Sequence, residues 1–150
     1  MTAWATEGIA KLAARALPET LRALDIDPFG YEVSILACND DDIAKFNATF
    51  RDKPVPTNVL SWPASEISLP EGGRPPPPEF GELGDIAIAF GICAREAREQ
   101  GKPLQDHVTH MLVHGLLHCL GYDHIRDADA QVMEETERAI LARLGIPDPY

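Results

Sequence analysis

Residues 104–124 read LQDHVTHMLVHGLLHCLGYDH and contain all five histidines of the chain. If the segment is helical, positions 107, 110, 114 and 118 fall within one stripe about 80° wide. From Met111 to Leu120 the segment is apolar on nearly all sides, which is typical of a helix buried at the centre of a domain. Pro103 stands where proline favours a helix start, and Gly121 stands where glycine ends one. We therefore predict a buried central helix that carries a stripe of imidazoles.

The spacing of three histidines predicts a metal site at the end of this helix. His114 and His118 are one turn apart, and a turn at Gly121 brings His124 toward the same ion from a third direction. Three imidazoles without a thiolate favour one catalytic Zn²⁺ ion with its fourth position open to water, because structural sites are closed by four ligands. Nickel, copper and cobalt also accept imidazoles, so zinc is favoured partly by availability. Cys119 follows His118, but neighbours on a helix point about 100° apart, so its thiol is expected to face away.

The same residues have the spacing of the metzincin protease signature H-E-x-x-H-x-x-G-x-x-H, with Gly115 in place of the glutamate. Without that general base, peptide hydrolysis by the metzincin route is not expected. Zinc lowers the pKa of a bound water to about 7. The proton acceptor is then expected to be a carboxylate from elsewhere in the chain, such as Asp85 or Asp123, or the substrate itself. A phosphodiester offers such acceptor oxygens, and attack on it needs a cation for the developing charge. Arg51 and Lys53 are the candidates for that cation.

The rest of the sequence predicts helices packed on a small sheet in a single domain over residues 1–150. Runs rich in strand-forming residues are Tyr31–Ala37, Asn58–Trp62 and Leu83–Phe90. A helix is predicted over residues 3–24, and Pro18 is expected to break or bend it. Three further helices are predicted from Asn39 or Asp40 to Phe50, over about ten residues before Gly101, and from Asp127 to Leu144. Residues 63–81 are proline-rich and are predicted to form an exposed loop.

Composition narrows the class of protein further. A chain of 150 residues buries roughly two thirds of its unfolded surface without needing disulfides. The net charge of −11 opposes general binding to nucleic acid, although it does not exclude one basic cleft. Three separated cysteines predict buried, reduced thiols. Because the sequence shows no apolar run of membrane-spanning length and no signal pattern, we expect a soluble, cytoplasmic protein.

Residues 110–124 resemble the YbeY-type endoribonucleases, which are the 16S ribosomal RNA maturation factors of bacteria. The resemblance extends to residues 47–51 (NATFR), 56–63 (PTNVLSWP), 83–86 (LGDI) and 129–145. It covers roughly residues 40–145, with the proline-rich loop poorly matched. Two departures from the family pattern are Cys119 in place of leucine and Asn58 in place of a common aspartate, and the second weighs against a carboxylate base at position 58.

The resemblance implies an α/β (α+β) fold with a small, mostly parallel four-stranded sheet and about five helices around the central metal-bearing helix. It implies that His114, His118 and His124 bind one Zn²⁺ ion and that Arg51 is the family's important arginine. The implied activity is single-strand-specific, metal-dependent RNA cleavage in 16S ribosomal RNA 3′-end maturation and ribosome quality control. The implied partners are single-stranded ribosomal RNA and the small ribosomal subunit with its assembly factors.

Two other functions fit the residues. The protein could be a metal-dependent hydrolase of another phosphoester or of an amide. Alternatively, it is a ribosome assembly factor that uses zinc only to stabilise its fold. The acidic net charge slightly favours both alternatives, because RNA affinity needs cations at the interface. For His110, a role in supporting the metal site and a local hydrogen bond are equally compatible with the sequence. The roles of His107 and of the proline-rich loop, the general base and the oligomeric state also remain open.

Overall fold

The computed structural model describes residues 6–51, 57–65, 69–76, 78 and 81–150. Within these ranges the chain forms five helices and three strands. In chain order they are α1 (Thr6–Ala23), β1 (Tyr31–Cys38), α2 (Asp40–Arg51), β2 (Val59–Pro63), β3 (Gly81–Ala89), α3 (Phe90–Glu99), α4 (Leu104–Cys119) and α5 (Asp127–Arg143). The prediction of a mixed fold with about five helices is confirmed.

The sheet differs from the one that the family resemblance implied. In the described part of the chain it has three strands in the order β1-β3-β2, and not four. β1 pairs with β3 in parallel, whereas β2 pairs with β3 antiparallel, so the sheet is mixed. The three strands predicted from the residues themselves are all present. Between β2 and β3 the sequence is rich in proline, which lacks the N–H that a further ladder would need.

α1 is one helix, although Pro18 was predicted to break or bend it. Its buried residues Ile9, Ala16 and Leu21 pack into the core. We attribute the continuity of the helix to this burial, because in most protein helices stability comes from packing of an apolar face. Within the described ranges, neither α1 nor any other helix combines the length and apolarity needed to cross a membrane.

α4 lies at the centre of the molecule, as predicted. One face of the sheet packs against it, since Ile86 shares a core cluster with Leu116 and Ile88 shares one with Leu112. The opposite face of the sheet packs against α2, where Ala87 contacts the cluster around Ile43. This layering follows from strand alternation, because successive residues of β3 point to opposite faces. The histidine-bearing helix therefore lies against the sheet on one side and contacts α1, α3 and α5 on its other sides.

Candidate metal centre

The structure brings the imidazoles of His114, His118 and His124 together at the end of α4. Their ring centroids are 4.8 Å apart for 114–118, 5.3 Å for 114–124 and 5.0 Å for 118–124. Each ring offers one nitrogen, and these nitrogens all lie within 4.8 Å of one another. His124 is exposed and the other two are half-buried, so the cluster opens to solvent. Three converging imidazoles with one open side can hold a divalent metal ion and leave one of its positions open.

The turn after α4 delivers His124 to the cluster. Gly121 has a φ of +108° and donates its N–H to the His118 carbonyl, while Tyr122 donates its N–H to the Leu117 carbonyl. This pair of hydrogen bonds is the Schellman arrangement, which favours glycine at the left-handed position. Asp123 Oδ1 then accepts the backbone N–H of His124 at 2.7 Å. The position of His124 therefore depends on local backbone chemistry that the sequence motif already indicated.

A buried carboxylate, Glu137 of α5, supports the cluster from behind, and the sequence analysis missed it. Its side chain has no solvent exposure. It accepts hydrogen bonds from His114 Nδ1 at 2.5 Å, from His110 Nε2 at 2.8 Å and from the Tyr150 hydroxyl at 2.5 Å. A carboxylate bonded to the far nitrogen of a histidine is the usual support of a metal-ligating imidazole. Glu137 thus joins α5 and the residues after it to the candidate metal centre.

The sequence did contain a signal for Glu137. In the sequence, Met133, Thr136, Ile140 and Leu144 recur at helical spacing, and Glu137 lies on the same face, one turn after Met133. A charged residue inside a core stripe needs a partner, since an unpaired buried charge is costly. That rule predicts a buried interaction, but it does not identify the partner.

The electrostatics of Glu137 decide which nitrogen of His114 faces an ion. Burial alone would raise the pKa of the Glu137 carboxyl, but hydrogen bonds from His110, His114 and Tyr150, together with the electrostatic attraction of His114, outweigh burial and lower the pKa to about 2. At neutral pH the carboxylate is ionised and only accepts hydrogen bonds, so His114 Nδ1 carries a proton. In the neutral form of the His114 ring the lone pair then lies on Nε2, where it is available to a metal ion.

The two remaining histidines of the stripe have different environments. His110 is buried and donates to Glu137, so it contacts the carboxylate that supports His114. His107 is also buried, and its Nε2 lies 2.9 Å from Glu96 Oε1. Cys93 lies beside that pair, but burial raises the pKa of its thiol to about 12, followed by a smaller effect of Glu96. The hydrogen bond and the neutral thiol therefore account for the cluster of Cys93, Glu96 and His107 without an ion.

Cys119 was predicted to face away from the metal site, and its thiol lies toward the sheet. Its Sγ lies 4.0 Å from the backbone oxygens of Trp62 and Asp85. Burial, and secondarily the charge of Asp85, raises the pKa of this thiol to about 12. A protonated thiol among carbonyl groups is a poor metal ligand, since thiols bind metals as thiolates. All three cysteines of the chain are buried and free, as predicted.

Gly115, which replaces the protease glutamate, has a packing role. A Cβ built on it would lie 3.0 Å from Cγ2 of the fully buried Ile86. Position 115 is therefore turned toward β3, and glycine lets α4 approach the sheet closely. A glutamate in this place would be driven into the core and would not act as a base at the cluster.

The structure also locates the other candidate residues. Asp85 adjoins Ile86 in β3 and so points to the opposite face of the sheet, away from α4. There it lines an apolar groove of about 490 Å³ with Phe46 and Trp62. Arg51 is the last residue of α2, and its side chain lies outside the described part of the structure. Lys53 also lies outside it.

The fold and the cluster define a class of protein, a small α+β chain with a three-histidine candidate metal site on its central helix. The family described as "Endoribonuclease YbeY" matches residues 2–145. Relatives named Endoribonuclease YbeY include one from a Jannaschia species, 55% identical over 98% of this chain and 93% of that protein, and one from Ruegeria pomeroyi, 57% identical over 93% and 88%. The solution structure of TM1509 from Thermotoga maritima, at 24% identity, matches the fold over 90% of this chain and 82% of that one with a TM-score of 0.61. The chain belongs to the YbeY endoribonuclease family.

Proposed function

We propose that this protein is a metal-dependent endoribonuclease that cleaves single-stranded RNA and acts in maturing the 3′ end of 16S ribosomal RNA. The observation that carries the proposal is the convergence of three imidazoles, one of them fixed by a buried carboxylate. Membership of a family whose curated relatives are named endoribonucleases supports RNA as the substrate. The ribosomal substrate and the small-subunit partners follow the resemblance described above.

In the proposed reaction, His114, His118 and His124 hold one divalent ion, most simply Zn²⁺. When bound, such an ion acts as a Lewis acid and lowers the pKa of water. The residues of the chain orient this chemistry: Glu137 keeps the proton on His114 Nδ1, and the Gly121 turn holds His124 toward the other two rings. In this proposal the phosphodiester approaches from the side of the exposed His124.

The proton acceptor in this proposal is Asp123 or a phosphate oxygen of the RNA. Asp85 is not favoured, because it points away from α4. Asp123 precedes His124, and one of its carboxylate oxygens accepts the His124 N–H, so the other oxygen remains available for a proton. Arg51 is proposed to stabilise charge that develops on the phosphoryl oxygens, as preorganised cations do in phosphoryl chemistry.

We further propose that the protein works in the bacterial cytoplasm. Cys38, Cys93 and Cys119 are buried and free, which fits a reducing compartment. Ribosomal RNA, the proposed substrate, is processed in the same compartment.

The test uses a single-stranded RNA that carries the 16S 3′-end sequence, with the matched duplex as a comparison. The purified chain is stripped with chelator, assayed, and assayed again after one equivalent of Zn²⁺ is restored. We expect no cleavage without metal, restored cleavage of the single strand, and none of the duplex. His124→Ala is the decisive variant, because His124 is exposed and its loss leaves the core intact. Cleavage that persists in His124→Ala or in chelator would contradict the proposal.

A non-enzymatic role is the alternative, and the net charge of −11 slightly favours it. A zinc-stabilised assembly factor predicts that metal removal lowers the melting temperature, while Arg51→Ala leaves ribosome maturation unchanged in cells. The nuclease proposal predicts that Arg51→Ala causes 16S precursors with unprocessed 3′ ends to accumulate, although the fold is unaffected.

A further inference from the structure

The residues that follow α5 return to the candidate metal centre. We call residues 145–150, with the sequence GIPDPY, the strap. The strap leaves α5 through a hydrogen bond from the Ile146 N–H to the Leu141 carbonyl at 2.9 Å, and Ile146 packs on the main core cluster. Pro147 and Pro149 each fix one backbone dihedral, so the strap has few alternative conformations. Tyr150 is thereby directed back along α5.

Arg138 anchors the strap on the outer side of α5. Its Nε donates to Asp148 at 3.2 Å for Oδ1 and 3.1 Å for Oδ2, and its guanidinium lies 5.4 Å from the centroid of the Tyr150 ring. Asp148 Oδ1 also accepts the backbone N–H of Tyr150 at 2.9 Å. Together these contacts hold the phenol ring against the helix from the solvent side.

On its inner side the Tyr150 ring meets the buried network behind the histidines. It lies edge-on to the His110 ring, with centroids 5.7 Å apart. Although the residue as a whole is 53% exposed, its hydroxyl donates to the fully buried Glu137 Oε2. Because His110 donates to the same oxygen and His114 to the other, Tyr150 provides the third donor that fixes the carboxylate.

We propose that Tyr150 is a positioning residue for the metal centre, which acts by holding Glu137 in the orientation that fixes the His114 ring. This inference rests on the proposed metal site. The carboxylate has two rotatable bonds beyond its Cβ, and hydrogen bonds to three different side chains select one orientation. Without the hydroxyl, Oε2 keeps only His110, and the strap loses its only described hydrogen bond to Glu137. His114 is then presented to the ion less rigidly.

The test measures zinc affinity by competition with a chromophoric chelator for the unaltered chain and three tyrosine variants. Tyr150→Phe removes only the hydroxyl, Tyr150→Ala also removes the ring, and Tyr31→Phe is the matched control. Tyr31 donates its hydroxyl to the Pro78 carbonyl at 3.0 Å, in another part of the molecule. We expect Tyr150→Phe to weaken zinc binding about tenfold, which is the usual size of an effect behind a metal ligand. Tyr31→Phe should bind zinc like the unaltered chain.

A second measurement separates positioning from packing. Cobalt replaces zinc, and its visible absorption reports the ligand field at the metal. Tyr150→Phe should shift this spectrum, while circular dichroism of the metal-free variant shows that the fold is retained. If Tyr150→Phe leaves both the zinc affinity and the cobalt spectrum unchanged, the positioning role is overturned, whatever Tyr150→Ala does. That outcome leaves the proposed metal site standing. If His118→Ala binds zinc as tightly as the unaltered chain does, the metal site itself is overturned, and the role of Tyr150 with it.

Discussion

Replacement of Glu137 by glutamine tests the buried network with a change of one atom. The amide is nearly isosteric with the carboxylate, but it has one acceptor oxygen and one donor group in place of two acceptors. Three donors, on His110, His114 and Tyr150, converge on Glu137. At least one of them must therefore face an NH₂ group, where it keeps a hydrogen bond only by changing from donor to acceptor.

The magnitude follows from the pKa of Glu137. Hydrogen bonds that outweigh burial lower this pKa from its ordinary value of 4.5 to about 2. A difference of roughly 2.5 pKa units corresponds to about 3 kcal/mol of folding free energy at neutral pH. Since the pKa in the folded state is lowered, this stabilisation is present above pH 4.5 and is lost as the pH falls toward about 2.

The assay is urea unfolding of the metal-free protein, followed by circular dichroism between pH 7 and pH 3. We expect Glu137→Gln to be less stable than the parent by about 3 kcal/mol at pH 7, with the difference shrinking below about pH 4.5. Glu135→Gln is the control, because Glu135 is an exposed residue of the same helix, and its change should stay within about 0.5 kcal/mol. Equal stabilities at pH 7, or a difference that does not shrink in acid, would refute the reasoning.

Three further substitutions test individual parts of the site. Gly121→Ala places a side chain at a φ of +108°. It should lower the free energy of unfolding in urea by about 1–3 kcal/mol and weaken zinc binding in chelator competition. Wild-type values in both assays would contradict the role of the turn. Gly115→Glu drives a charged side chain into Ile86. It should lower the free energy of unfolding by at least about 3 kcal/mol and yield no casein hydrolysis. A stable variant with peptidase activity would reverse the interpretation of this position. Cys119→Ser should leave zinc affinity unchanged, since Sγ faces backbone carbonyls, and a tenfold loss would make Cys119 a ligand.

Local features of the structure were largely predictable. The histidine stripe and the glycine turn depend on helical period and on backbone conformation within a few residues, so the sequence motif was sufficient. Asn39, one of the two residues at which this helix was predicted to start, caps it by accepting the N–H of Asp42 at 2.8 Å. The three strands were predicted from their composition, whereas the fourth strand came only from the family resemblance and is absent from the described ranges.

Contacts between distant segments were not predictable. Glu137 meets His114 across 23 residues, and this contact depends on how α5 packs against α4. The alternation in β3 separates Asp85 from Ile86, but only the packing of α4 shows that Asp85 is on the wrong face to serve the cluster. The sequence could indicate that an acid on the α5 core stripe needs a partner, but it could not show that the partners were the histidines.

The most direct test of the central claim, that three imidazoles hold one ion, is X-ray absorption spectroscopy of the zinc-loaded protein. We predict one zinc per chain, with three imidazole nitrogens at about 2.0–2.1 Å and no sulfur neighbour. His124→Ala should lose one imidazole from the spectrum or fail to retain zinc. A sulfur neighbour at about 2.3 Å, or a spectrum unchanged by His124→Ala, would contradict the assignment.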